Sequence, residues 1–240
     1  MSEHQQKAYA VYHEWKNWTN ASFGIGSPEL HKVYAALIRA HSRSAGGHAI
    51  DFGFGNGEML ATLRELGFDT AGIERNPCLR ETASQKGFSV AATLFENHLP
   101  APGSVALITA FHVLEHLDKD ALKASFARFS EFLRPDGCIL AAFPNGDSPF
   151  SASAFNGDIT HVTWIGSSMA EQLGAMSGLK LVAYRAFPSL SRHSSRPSVR
   201  AKGFLRSFAE WLVNGILSRI YYGGSGKVLS PVAVAVWAKV

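Results

Sequence analysis

A chain of 240 residues holds one large domain or two small ones, and 46% hydrophobic with 18% charged residues excludes a disordered chain. Two cysteines, Cys78 and Cys138, exclude a disulfide framework; neither has a second cysteine at metal-ligand spacing, which fits a reducing compartment. The formal net charge of +4 permits an anionic partner without requiring one, and no stretch approaches the roughly 18 consecutive apolar residues that span a bilayer.

The opening MSEHQQKAYAVYHEW puts charged and polar groups where a signal peptide has an apolar run. A cytoplasmic location is therefore expected, with peripheral contact at the inner face of a membrane as its variant. An aromatic run follows, Tyr12, Trp15, Trp18 and Phe23, and then a helix beginning near Pro28. Residues 1–43 are expected to form an N-terminal helical cap, whose aromatics either cover a site or pack into the core.

From residue 44 to 187 short apolar runs alternate with helical periodicity, the pattern of a mainly parallel sheet covered on both faces. The predicted strands run His48 to Phe52, Thr70 to Glu74, Ser89 to Thr93, Val105 to Ala110, Cys138 to Phe143, Lys180 to Phe187 and Pro231 to Lys239. The predicted helices run Glu58 to Leu66, Pro77 to Lys86, Asp120 to Phe132 and Ser167 to Ser177. Gly67 and Gly87 sit where helices end, and Arg134-Pro135-Asp136-Gly137 reads as the turn between a helix and the next strand.

Residues 188–227 interrupt this rhythm before the final strand segment, 228–240. The insertion carries Arg192, Arg196, Arg200, Lys202 and Arg206 without an acidic residue among them, then a helix with Phe204, Phe208, Trp211, Leu212, Ile216 and Ile220. Arginines suit phosphate or carboxylate, so an anionic or lipid-linked acceptor fits. The same stretch fits a basic amphipathic helix near anionic lipid, a dimer contact, a cover for the site, or a plain solvated loop before a packed helix.

In AIDFGFGNGEML, Gly53, Gly55 and Gly57 stand directly between an apolar strand and a helix. Glycines allow a tight turn without a side chain in the way of a ligand, and the helix start presents unpaired N–H groups. Glu74, at the end of the next strand, can accept both hydrogen bonds of a ribose diol.

The pieces IDFGFGNG, AGIERNP, ALITAFHVLEHLDKDALKASFARFSEFLRPDGCILAAFPN and DITHVTW resemble class I S-adenosylmethionine-dependent methyltransferases, particularly the group that includes the ubiquinone-biosynthesis O-methyltransferases. The resemblance implies an α/β, doubly wound, mostly parallel seven-stranded sheet with an antiparallel last strand and helices on both faces. It implies S-adenosyl-L-methionine as cofactor, with Asp51, Gly53, Gly55 and Gly57 around its amino acid part, Glu74 and the adjoining Arg75 at the ribose, and Phe111 and His112 lining the pocket. The usual acidic residue after the third strand is missing, so adenine recognition falls to Thr93, Leu94 and Phe95. Glu115 and His116 match a family signature that marks the fold.

Methyl transfer to a hydroxyl of a small-molecule, quinone-like or glycan-type acceptor needs a base, whereas a neutral amine acceptor does not. His161, with Asp158 three residues earlier to orient it, and His112 are the candidates; each also reads as a packed, hydrogen-bonded residue. Glu115 and His116 are adjacent and would diverge on a regular helix, so no metal is expected. N-methylation, an inactive methyltransferase-like binding protein, and RNA or protein methylation are the alternatives; without a zinc knuckle or RNA-recognition signature, nucleic acid is the least expected partner.

Overall fold

A computed structural model describes residues 12–42, 46–96, 99–224 and 226–239. Residues 1–11 of the expected cap, and the Tyr12 side chain, lie outside the described residues.

Strands β1 (Gly47–Phe52), β2 (Phe68–Ile73), β3 (Ser89–Ala91), β4 (Val105–Phe111), β5 (Leu133–Pro144), β6 (Leu179–Ala186) and β7 (Val232–Lys239) form one sheet in the order β3-β2-β1-β4-β5-β7-β6. The first five are parallel to one another. β7 runs antiparallel between β5 and β6, so the last strand to be made is inserted inside the sheet, as the doubly wound expectation required.

The central strands read as continuous apolar runs because both of their faces are buried. On β5, Ile139, Ala141 and Phe143 face one core, and Cys138, Leu140 and Ala142 face the other. On β7, Ala233, Ala235 and Trp237 alternate with Val234 and Val236 in the same way.

Helices α1 (Tyr12–Trp15), α2 (Pro28–His41), α3 (Glu58–Glu65), α4 (Pro77–Gln85), α5 (Lys119–Phe132), α6 (Ala152–Asn156), α7 (Ser167–Met176) and α8 (Pro197–Tyr222) complete the architecture. α5 and α7 cover one face with Phe126, Phe129, Phe132 and Leu173; α2 and α3 cover the other with Tyr34, Ile38, Met59 and Leu63. Side-chain caps start three of them: Ser27 Oγ accepts from Leu30 N, Asn76 Oδ1 from Cys78 N, and Asp118 Oδ1 from Ala121 N. Glycines 67 and 87 follow α3 and α4 as the sequence suggested.

Two predicted boundaries differ for physical reasons. β5 begins at Leu133, not Cys138: Leu133 pairs with Val105 and Cys138 with Leu107, so the Arg134–Gly137 turn is an excursion within the strand. Asp136 closes it as an ion pair with Arg134, its Oδ2 accepting from Arg134 Nη2 at 3.1 Å. The third strand stops at Ala91 because Glu96 accepts from Ala92 N and Thr93 N, turning the chain out of the sheet.

Trp237 joins the layers on the α5 side. Its ring is fully buried edge-on to Phe126 at 5.0 Å, and its Nε1 donates to Ala170 O at 2.7 Å. Trp237→Ala should destabilise the protein by about 3–5 kcal/mol, read as a lower denaturant midpoint at unchanged m-value; a loss below about 1 kcal/mol would contradict this packing.

Candidate functional site

The carboxyl ends of β1, β2 and β4 converge on a cavity of ≈ 470 Å³. All three glycines of the turn after β1 have positive φ: Gly53 at 75°, Gly55 at 51° and Gly57 at 78°. A Cβ at these positions would also lie 2.4 Å from Val113, 2.9 Å from Trp18 and 2.3 Å from Phe23, respectively. The turn is thus side-chain-free for a reason beyond ligand approach: the protein itself packs against it.

This divides the N-terminal aromatics. Phe23 is buried beneath Gly57 against Phe54 and Phe88, Trp18 closes over Gly55 as a cavity wall, and Trp15 is exposed.

Glu74 follows the last residue of β2. Its Oε2 accepts from Gly55 N at 3.1 Å and its Oε1 from Asn76 N at 2.9 Å, and burial raises its pKa. The Arg75 amide is a third backbone donor to this carboxylate, which with about four acceptor positions retains capacity for a ligand hydroxyl. Arg75, Thr93, Leu94 and Phe95 also line the cavity, Leu94 buried and Phe95 69% exposed. Phe111 forms the wall beyond β4, edge-on to Tyr34 at 5.0 Å.

Asp51 is buried at the floor. Thr109 Oγ1 donates to its Oδ1 at 2.8 Å, while Oδ2 accepts no hydrogen bond. Burial, aided by the Glu74 and Glu58 carboxylates and opposed by the Thr109 hydrogen bond, pushes its pKa up to about 7. An unpaired buried carboxylate beside an adenosyl-sized cavity fits an amino acid ammonium, and Glu74 fits a ribose diol.

The third group stands after β4. His112 lines the cavity, is about half exposed, and adopts φ of 54°, the left-handed region uncommon outside glycine; its N–H donates to Ala142 O at 2.7 Å. Its Nδ1 lies 3.5 Å from Oε1 of Glu115, whose buried oxygens accept no hydrogen bond.

Leu114–His116 is a 3-10 turn, not the regular helix expected. The DITHVTW segment is clamped onto it, because Val162 N and Thr163 N both donate to Glu115 O and Thr163 Oγ1 donates to Leu117 O. His161 Nε2 thereby comes to 3.8 Å from Glu115 Oε1, its ring 4.6 Å from that of His116.

The expected Asp158–His161 pairing gives way to another arrangement. Asp158 accepts from Thr160 N and Oγ1, and Thr160 Oγ1 meets His116 Nδ1 at 2.8 Å. The Thr160 proton goes to Asp158, so His116 Nδ1 is the donor, in a neutral ring whose pKa burial lowers. His161 is held by Phe155: its Nδ1 donates to Phe155 O at 2.7 Å. His161 is nearly buried and is not a cavity wall, whereas His112 is.

Glu115, His116 and His161 each bring one potential ligand atom within 4.8 Å of the others. Adjacency on a regular helix was the ground for expecting no ligand cluster; the 3-10 turn and the clamped loop remove that ground.

A glycine turn, a buried acid at the first strand and a ribose-suited acid at the second define an adenosyl-cofactor domain of the doubly wound class. The methyltransferase domain family matches residues 29–200, and the chain belongs to that family, whose cofactor is S-adenosyl-L-methionine. The chain is similar to an uncharacterized methyltransferase of Bacillus pumilus, 27% identical over 48% of this chain and 54% of that one. A ubiquinone biosynthesis O-methyltransferase of Methylococcus capsulatus is 29% identical over 43% of this chain and 46% of that one. A crystal structure of an S-adenosylmethionine-dependent methyltransferase from Archaeoglobus fulgidus superposes with a TM-score of 0.60 at 17% identity, covering 87% and 94% of the two chains. The chain spans 46% to 65% of the lengths of the curated relatives it matches. The relatives are thus broader than the ubiquinone group alone.

Ionised Asp51 should favour a ligand ammonium, so S-adenosylhomocysteine affinity should fall as pH drops below about 7, by about tenfold per unit. Calorimetry between pH 7.5 and 5.5 checks this: Asp51→Asn should bind more weakly and flatten the profile, and a flat profile in the unmodified protein would refute the assignment.

Proposed function

We propose that this protein transfers a methyl group from S-adenosylmethionine to a hydroxyl of a small-molecule acceptor, with a quinone-like phenolic ring as the preferred class. The observation that carries the reading is His112, a cavity-wall imidazole backed by the buried Glu115 carboxylate. The sulfonium supplies an electrophilic methyl carbon; the chain supplies binding, orientation and proton removal. Asp51 and Glu74 anchor the amino acid end and the ribose of the cofactor, and Phe52, Phe111, Val113 and Leu117 give the cavity an apolar wall that excludes water.

With Nδ1 turned toward Glu115, His112 has Nε2 to take the acceptor proton, and the carboxylate stabilises the imidazolium that forms. The base is therefore His112, with His161 behind it as a buried packing residue of the same cluster. Aromatic walls favour a flat ring over a glycan, and the relative from Methylococcus capsulatus, an O-methyltransferase by name, supports oxygen as the acceptor atom.

A second reading is favoured by the clustered ligand atoms: a divalent cation held by Glu115, His116 and His161 would lower the acceptor's pKa directly. Labelled S-adenosylmethionine with phenolic, glycan and amine libraries, followed by product mass analysis, tests the acceptor atom. His112→Gln should lower kcat by ~100-fold or more while leaving S-adenosylhomocysteine affinity within about threefold. Full activity of that variant, together with loss of activity on chelation and its return with a divalent metal, would replace the base with the cation.

A further inference from the structure

α8 is built the wrong way round for a helix that faces water. Toward the protein it turns mainly small and polar residues: Gly203 and Ser218 are buried, and Ser207, Asn214 and, as the one large apolar residue among them, Leu217 are half-buried. A Cβ on Gly203 would lie 2.5 Å from Ser191 Oγ and 2.9 Å from Arg192 N, so the helix is docked at that point. Toward solvent it turns Phe204, Leu205, Phe208, Trp211, Leu212 and Ile216, each about half exposed or more, and the face continues to Ile220. At 100° per residue these apolar side chains cover roughly half the helix circumference from Phe204 to Ile220.

Charge identifies the occupant. Arg192 and Arg196 precede the helix, and Arg200, Lys202 and Arg206 lie in its first three turns, all exposed. The first turn has no acidic residue and no side-chain cap, so the positive end of the helix dipole adds to five cations. The only acid on the helix is Glu210, which Arg206 holds at 2.8 Å. A second copy of α8 would bring another positive end and no available carboxylate; an anionic surface would answer all of it.

The helix is also in the right place. β6 is parallel to β5 and β7 antiparallel, so the segment joining β6 to β7 lies at the carboxyl end of the sheet, where the cavity opens. Lys32 Nζ donates to His193 O, and Tyr222 Oη donates to Asp147 O, which tie the insertion to α2 and to the loop after β5. No helix among the described residues is long and apolar enough to cross a membrane, so α8 would lie along the surface.

We infer that α8 docks the protein on the surface of an anionic lipid bilayer, its apolar side at the acyl boundary and its arginines among the headgroups, with the cavity-bearing end of the sheet toward the membrane. The docking does not depend on which acceptor is methylated.

Flotation of the full chain with phosphatidylcholine vesicles, and with vesicles carrying roughly 30 mol% phosphatidylglycerol, tests it. Binding to the anionic vesicles should be at least about tenfold tighter than to neutral ones and should weaken with salt. Arg200→Gln with Arg206→Gln should weaken it by about 25-fold, at about fivefold per basic residue. Phe208→Ser with Trp211→Ser should abolish it while S-adenosylhomocysteine affinity and thermal midpoint stay unchanged, since both side chains are exposed. No binding to anionic vesicles at low salt would overturn the inference. So would equal binding by the variants, or a dimer in light scattering that Trp211→Ser dissociates without any vesicle binding.

Discussion

The hydrogen bond from Gly55 N to Glu74 Oε2 is the constraint on which the cofactor site rests. It carries the parallel pairing of β1 and β2 beyond both strands, continuing the bonds from Gly53 N and Phe54 N to Ile73 O. The glycine turn is held in shape by a side chain that also belongs to the site. One carboxylate therefore fixes the backbone of the turn while lining the cavity, so in the proposed role of ribose ligand it would need little reorganisation when cofactor enters. Trp18, Phe23 and Val113 hold the same turn from its other sides, which is why three glycines recur within five residues.

The second half of the site depends on a backbone clamp between elements far apart in sequence. Glu115 O accepts two amides from the loop after β5, and this brings His161 to a carboxylate that already faces His112. The result is a carboxylate buried without a hydrogen bond among three imidazoles, an arrangement that costs stability unless a proton or a cation completes it. His112 in the left-handed region is a second strain in the same place, secured by its bond to Ala142 O.

The antiparallel β7 links the two remaining features. By returning between β5 and β6 it forces the chain to leave and re-enter at the carboxyl end of the sheet, and residues 188–227 are accommodated there. Asn145 secures this junction: buried, it donates to Val228 O and Ser230 O and accepts from Tyr184 Oη. The insertion is thus attached firmly at its base while α8 keeps its apolar side outward.

The sequence by itself determined the sheet class, most strands and helices, the glycine turn and the acid Glu74 at the end of the second strand, because these follow from local periodicity, from glycine conformations and from fixed spacing along one strand-turn-helix unit; Asp51 entered through the family resemblance. The start of β5 escaped it, since a turn sequence inside a strand looks the same as one before it. Only the tertiary structure decided that Trp18 covers the turn, that Asp158 accepts from the Thr160 that meets His116, and that Glu115 faces both His112 and His161. The last two are set by which backbone amides the Glu115 carbonyl captures across the fold, and the first by packing of the N-terminal segment on Gly55, long-range contacts that leave no period or spacing in the chain.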